Sequence, residues 1–172
     1  MNIKEGKAKN ITICALFTAF ICVATMVIQI PIPLGYMHLG NTLIFLTAYL
    51  FGKTKGGICA GAGSALADLI TGFAYWCIPT LIIKAFMGFA VGAIAHRKDC
   101  KTKLFSGRTL TAAVTGVAIM TAGYFAAGSI IYGSAVTGAM QIPGLLVEGA
   151  IGAALFFLLE TALEKAGIRK IL

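Results

Sequence analysis

Hydropathy leaves this chain little choice of fold. Six apolar stretches follow one another: about Ile11–Ile30, Leu39–Phe51, Gly56–Thr71, Pro79–His96, Leu110–Ile131 and Ile142–Leu163. A helix needs about 20 residues to cross the hydrocarbon core, and lipid offers the backbone no hydrogen bonds. Each stretch therefore reads as a membrane helix, although the second and third are short for a full crossing. Only 12% of the residues are charged and 59% are hydrophobic, whereas an ordinary soluble domain is about 25% charged. So few charges cannot clothe a soluble domain, which argues against a soluble enzyme, a nucleic-acid-binding domain or a disordered chain. The expected class is all-α: one polytopic membrane domain, residues 1–172, with six transmembrane helices.

The basic residues orient it. Thirteen of the fourteen Lys and Arg fall in four segments. These are the N-terminus (Lys4, Lys7, Lys9), the connection after span 2 (Lys53, Lys55), that after span 4 (Arg97, Lys98, Lys101, Lys103, Arg108) and the C-terminus (Lys165, Arg169, Lys170). The connections at about 31–38, 72–78 and 132–141 carry none. Six spans put all four basic segments on one face, and the positive-inside rule makes that face, with both termini, cytoplasmic. The net charge of +8 then orients the protein and meets anionic lipid rather than nucleic acid. With about 120 residues in spans, no room remains for an ATPase, so ATP hydrolysis would belong to a partner.

Several motifs have plain readings. The basic start followed by an apolar run imitates a signal peptide, but the run is long and no A-x-A site follows, so it reads as an uncleaved first span. Gly52-Lys53-Thr54 lacks the upstream Gly and the strand of a phosphate-binding loop. The five Cys (Cys14, Cys22, Cys59, Cys77, Cys100) form no C-x-x-C and read as small hydrophobes. No metal or cofactor site is expected. Small residues four apart (Ala15 and Ala19, Gly57 and Gly61, Gly88 and Gly92) form flat strips for close helix approach.

Ionisable residues inside spans are costly, which makes each a functional candidate. Asp68, Lys84 and Glu148 stand out, all within about 9 Å of the outer ends of their spans at 1.5 Å per residue. Three helices thus bring charge to one depth, which points to a small-molecule cavity open to the outside. The plain alternative is a structural ion pair of Lys84 with one acid, which would leave the other acid over. No ionisable group is expected to extend the cluster into the inner half.

The outer connections add candidates. Pro31 and Pro33 stiffen the first, and Gly35 permits a turn before Tyr36 and His38. Phe73, Tyr75 and Trp76 in the second are either interfacial anchors or a stacking wall for a flat heterocycle. His38 and Asn41, at the head of span 2, can supply hydrogen bonds.

Four motifs carry a family resemblance: H-L-G-N at His38–Asn41, G-K-x-x-G-G at Gly52–Gly57, S-A-L-A-D-L-I-T-G at Ser64–Gly72 and P-T-L-I-I-K at Pro79–Lys84. Together they resemble the substrate-binding S components of energy-coupling factor (ECF) vitamin transporters, in the riboflavin-type branch that includes pyridoxine and hydroxymethylpyrimidine binders. The resemblance implies a non-enzymatic protein of the prokaryotic plasma membrane that binds a vitamin from outside at high affinity. It implies as partners a transmembrane coupling protein and two ATPase subunits. It further implies that the A-x-x-x-A pattern matched by Ala15 and Ala19 contacts the coupling protein. That branch commonly carries Asp after H-L-G; Asn41 keeps the hydrogen-bonding head without the charge. The candidate substrate-binding set is Tyr36, His38, Asn41, Asp68, Tyr75, Trp76, Lys84 and Glu148. Two acids and one Lys favour a neutral or weakly basic heterocycle, pyridoxine or hydroxymethylpyrimidine before riboflavin. The competing reading is a small self-sufficient carrier or proton-coupled exporter.

Overall fold

The computed structural model describes residues 3–96 and 104–167, with side chains from residue 8 onward. Of the expected basic residues, Arg97, Lys98, Lys101, Lys103, Arg169 and Lys170 lie outside the described residues, as do Cys100 and the side chains of Lys4 and Lys7.

Helix α1 spans Ile3–Val27. The short strands β1 (Ile30–Ile32) and β2 (Gly35–Met37) follow, then α2 (Gly40–Ile70). A 3-10 turn over Ala74–Trp76 leads into α3 (Cys77–Ala95). Helix α4 (Gly107–Ile131) starts on Ser106, whose hydroxyl accepts from the Thr109 N–H. A short α5 (Ala135–Ala139) and the long α6 (Ile142–Lys165) complete the order. Among the described residues, four helical segments are long and apolar enough to cross a membrane: Ala8–Val27, Ala74–Ala95, Gly107–Ile131 and Ala135–Lys165.

Helix α2 joins the second and third apolar stretches, and it is not straight. At Gly52 (φ 81°, ψ −175°) the helical path breaks and the chain doubles back. Neighbouring contacts show the reversal. Gly40, opening the first arm, abuts Thr25 near the end of α1. On the second arm Lys55, Cys59 and Gly63 meet Asn10, Cys14 and Thr18 in rising order. The first arm therefore runs against α1 and the second runs with it. The left-handed φ at Gly52 is costly for any residue with a Cβ, and a Cβ there would also lie 2.9 Å from the His96 ring. The expected loop carrying Lys53 and Lys55 is thus corrected to a single turning residue, with both lysines on the helix.

The remaining helices alternate in direction. Gly88 and Gly92 of α3 pack on Gly56 and Gly52 in reverse order, and Ile83 and Val91 meet Gly123 and Gly116 of α4 likewise. Helix α6 runs alongside the first arm of α2, with Gly152 on Asn41 and Phe156 on Phe45 and Tyr49. Fully buried Ile21, Ile44, Phe45, Met87 and Met120 fill the core between them. Cys14, Cys22, Cys59 and Cys77 are free thiols.

The Gly57, Gly61, Gly88 and Gly92 strips all serve the α2–α3 contact, where a Cβ at Gly88 would overlap the Gly56 carbonyl oxygen. Both atoms are tied to backbone, so a neighbour cannot simply turn aside. Gly88→Ala is expected to destabilise the protein by about 1–3 kcal/mol, read as a lowered unfolding temperature in detergent.

One fold expectation needs correction. The chain is not purely helical, because α1 ends at Val27 and residues 30–37 form an antiparallel hairpin. Its register pairs Ile30 with Met37, Pro31 with Tyr36 and Ile32 with Gly35. Pro31 and Pro33 cannot continue a helix, and Ile, Tyr and Met suit a short ribbon. The residue with positive φ is Leu34 (φ 68°), not Gly35. Pro33 before it supplies the fixed φ that opens such a turn.

Candidate functional site

The hairpin roofs a small cavity of about 40 Å³ at the end of the bundle. Tyr36 of β2 and His38 face it from the roof; Asp68 of α2, Lys84 of α3 and Glu148 of α6 form its walls. Reversal at Gly52 makes this convergence possible: it returns Asp68 to the end of the bundle from which Asn41 set out. At 1.5 Å per residue a straight helix would hold those two about 40 Å apart.

Asn41 organises the charges. Lys84 Nζ donates to Asn41 Oδ1 at 2.7 Å, and Asn41 Nδ2 donates to Glu148 Oε1 at 2.7 Å. Lys84 and Glu148 approach directly to 3.7 Å, with side chains 1% and 3% exposed. Met120 Sδ lies 3.2 Å from Lys84 Nζ and 3.1 Å from Asn41 Nδ2. A buried ion pair requires such added bonds to offset its desolvation. The Gly40 N–H donates to His38 Nδ1 at 3.1 Å, which leaves the ring hydrogen on Nε2, 3.5 Å from Glu148 Oε1. Burial, reinforced by the Lys84 charge, holds the His38 imidazole well below the usual histidine range. His38 is therefore a neutral donor at pH 7.

Asp68 sits in a second cluster. Tyr36 Oη donates to Asp68 Oδ1 at 2.8 Å, which pins the hairpin to the wall. Asp68 Oδ2 makes no close hydrogen bond among the described residues, although the Thr80 hydroxyl lies near the carboxylate, and Trp76 Nε1 makes none either, with the Tyr75 hydroxyl near it. Tyr124 Oη donates to Thr80 Oγ1 at 3.1 Å, and Gln141 Nε2 holds the Tyr124 carbonyl at 2.7 Å. The Tyr124 ring lies beneath Lys84 Nζ at 5.4 Å and beside Trp76 at 5.6 Å.

Six of the expected binding residues line this cavity: Tyr36, His38, Asp68, Trp76, Lys84 and Glu148. Asn41 is buried behind the wall, between Lys84 and Glu148. Tyr75 is a correction: it is 53% exposed, and its hydroxyl meets that of Tyr132. Successive residues of a 3-10 turn point about 120° apart, so Trp76 turns inward and Tyr75 outward. Ala15 and Ala19 stand exposed on α1, away from the cavity. Of the two acids, Glu148 is the one within ion-pair distance of Lys84, and Asp68 is left over.

Thr80, Tyr124, Gln141 and Leu145 also line the cavity. Tyr124 is a neutral residue inside an apolar helix and carries no signal in the sequence; Thr80 lies within the P-T-L-I-I-K motif but does not stand out there by charge. Gln141, a polar residue just before the proline-marked start of α6, could have been singled out. Glu160 overturns the expectation that the inner half lacks ionisable groups, since it is fully buried near the far end of α6. It stands about 18 Å along the helix from Glu148, too far for direct proton exchange, so the carrier reading gains nothing from it.

Leu34 closes the roof, and its left-handed backbone costs about 1–2 kcal/mol. Leu34→Gly should therefore raise the unfolding temperature slightly while weakening ligand binding, because the apolar cover is lost. A fall in both would place the role of Leu34 in packing alone.

Residues 5–165 match the family model described as ECF-type riboflavin transporter, S component. The chain is 36% identical over 141 residues to a Pyrococcus woesei protein described as an uncharacterized protein in the gap 3' region, covering 77% of this chain and 91% of that one. It is 28% identical over 174 aligned positions to the thiamine precursor transporter HmpT of Lactococcus lactis subsp. cremoris (strain MG1363), covering 98% of this chain and 96% of that one.

Proposed function

This chain belongs to the S components of the ECF-type riboflavin transporter family, and we propose that it captures a small single-ring nitrogen heterocycle outside the cell for an ATP-driven importer. It is an integral membrane transport component rather than an enzyme. Pyridoxine-like or hydroxymethylpyrimidine-like ligands suit the site better than a flavin. The observation that carries this reading is the roofed cavity. Its free volume of about 40 Å³ is well below the usual range for ligand sites, about 300–1,000 Å³, which counts against a ligand as large as a flavin. Aromatic rings of Tyr36, Trp76 and Tyr124 and the Asp68 carboxylate suit a flat ring with hydrogen-bonding edges. The thiamine-precursor role stated for the Lactococcus relative points the same way.

The alternating helix directions and the four basic segments support six passes with both termini cytoplasmic. On that orientation the hairpin faces outward, where a vitamin arrives. Energy would come from a coupling protein and two ATPase subunits, with exposed Ala15 and Ala19 as the contact on this side. Mass spectrometry of small molecules released from the purified, denatured protein tests the ligand class. A single-ring nitrogen heterocycle is the expected finding, and a flavin would overturn the preference. Co-purification with a coupling protein and ATPases is expected; uptake by the chain alone in proteoliposomes would overturn the importer reading.

A further inference from the structure

The cavity wall contains more charge than it neutralises. Glu148 Oε1 is shared by Asn41, His38 and Lys84, and both ends of the Asn41 amide are taken. The hydroxyl hydrogens of Tyr36 and Tyr124 are committed to Asp68 and Thr80. With Lys84 balancing Glu148, Asp68 is the surplus acid. Two buried polar atoms of the wall then lack a close hydrogen bond among the described residues: Asp68 Oδ2, an acceptor with the Thr80 hydroxyl near its carboxylate, and Trp76 Nε1, a donor with the Tyr75 hydroxyl near it. Their residues are only 6% and 4% exposed. A buried polar atom left unpaired costs about 1–3 kcal/mol, more when charged. Such atoms in a binding cavity mark where a ligand completes the bonding.

Resting on the vitamin-binding reading above, we infer that Asp68 determines specificity: its Oδ2 accepts an N–H from an exocyclic amino group on the ligand ring, while Trp76 Nε1 donates to an acceptor of the same ligand. The Lys84–Asn41–Glu148 set then shapes the wall rather than reading the ligand. Because Tyr36 holds the other Asp68 oxygen, the roof also fixes the orientation of the carboxylate that selects the ligand.

Two ligands test this by titration calorimetry on the purified full chain: an aminopyrimidine bearing a hydroxymethyl group, and the same ring with the amino group replaced by hydrogen. Loss of the amino group should weaken binding about 10- to 150-fold, as expected for a charge-assisted bond. In Asp68→Asn, whose amide would face the ligand N–H with a donor, that preference should vanish. Trp76→Phe should weaken both ligands about equally. Equal binding of the two ligands to the unsubstituted chain overturns the Asp68 assignment alone, and this comparison requires no variant to fold. A preference that survives in Asp68→Asn overturns it as well. Binding of neither pyrimidine overturns the heterocycle reading and this inference together.

Discussion

Lys84→Met will destabilise the protein by about 3–5 kcal/mol, and the double substitution with Glu148→Gln will restore most of that loss. Removing one partner of a buried ion pair strands the other charge, whereas replacing both with neutral groups of similar size removes the desolvation cost together with the attraction. Glu148 is 3% exposed and shares its Oε1 with Asn41 and His38, neither of which carries a compensating positive charge. Methionine at 84 would lie against Met120, and glutamine at 148 keeps an acceptor for the Asn41 amide. Unfolding in detergent measures the stabilities, and calorimetry measures ligand affinity. The single variant should lose most ligand affinity along with its stability. The double variant should bind within about tenfold of the original, because Asp68 and Trp76 are untouched. A stable double variant without measurable binding would instead make Lys84 or Glu148 a direct ligand contact.

Leucine at both Ala15 and Ala19 should reduce uptake to background while leaving ligand affinity in detergent within about twofold. The two positions are one turn apart on one exposed face of α1. Two small side chains let another helix approach closely, and two isobutyl groups would hold it off. Neither residue lines the cavity, so binding and transport should separate. Normal uptake by the double variant would sink the interface assignment. Loss of both properties would trace the effect to the fold instead.

The apolar stretches and the trio Asp68, Lys84 and Glu148 are legible in the sequence because water and lipid impose them directly. A charge inside a membrane helix stands out against any background, and the three do converge on one cavity. Other features depend on contacts that sequence spacing does not encode. Tyr124 and Thr80 matter through each other, and neither is unusual in an apolar helix. The hairpin depends on pairing between Ile30 and Met37, which a run of apolar residues next to a helix conceals. Tyr75 and Trp76 are adjacent and chemically alike, and only the turn decides which one enters the site. Asn41 was visible as a polar head at a helix start, but its role as a bridge required knowing that Lys84 and Glu148 flank it.

The single-residue reversal at Gly52 also bears on biogenesis. The first arm of α2 is about 18 Å long at 1.5 Å per residue, well short of the roughly 30 Å core. The second arm carries Lys53, Lys55 and Asp68. Neither is a strong insertion signal for the translocon, and with no linker between them neither can settle in the bilayer before the other. On the six-pass reading they enter together as one helical hairpin. The half of the site that α2 supplies, Asn41 and Asp68, would then be assembled in a single insertion event.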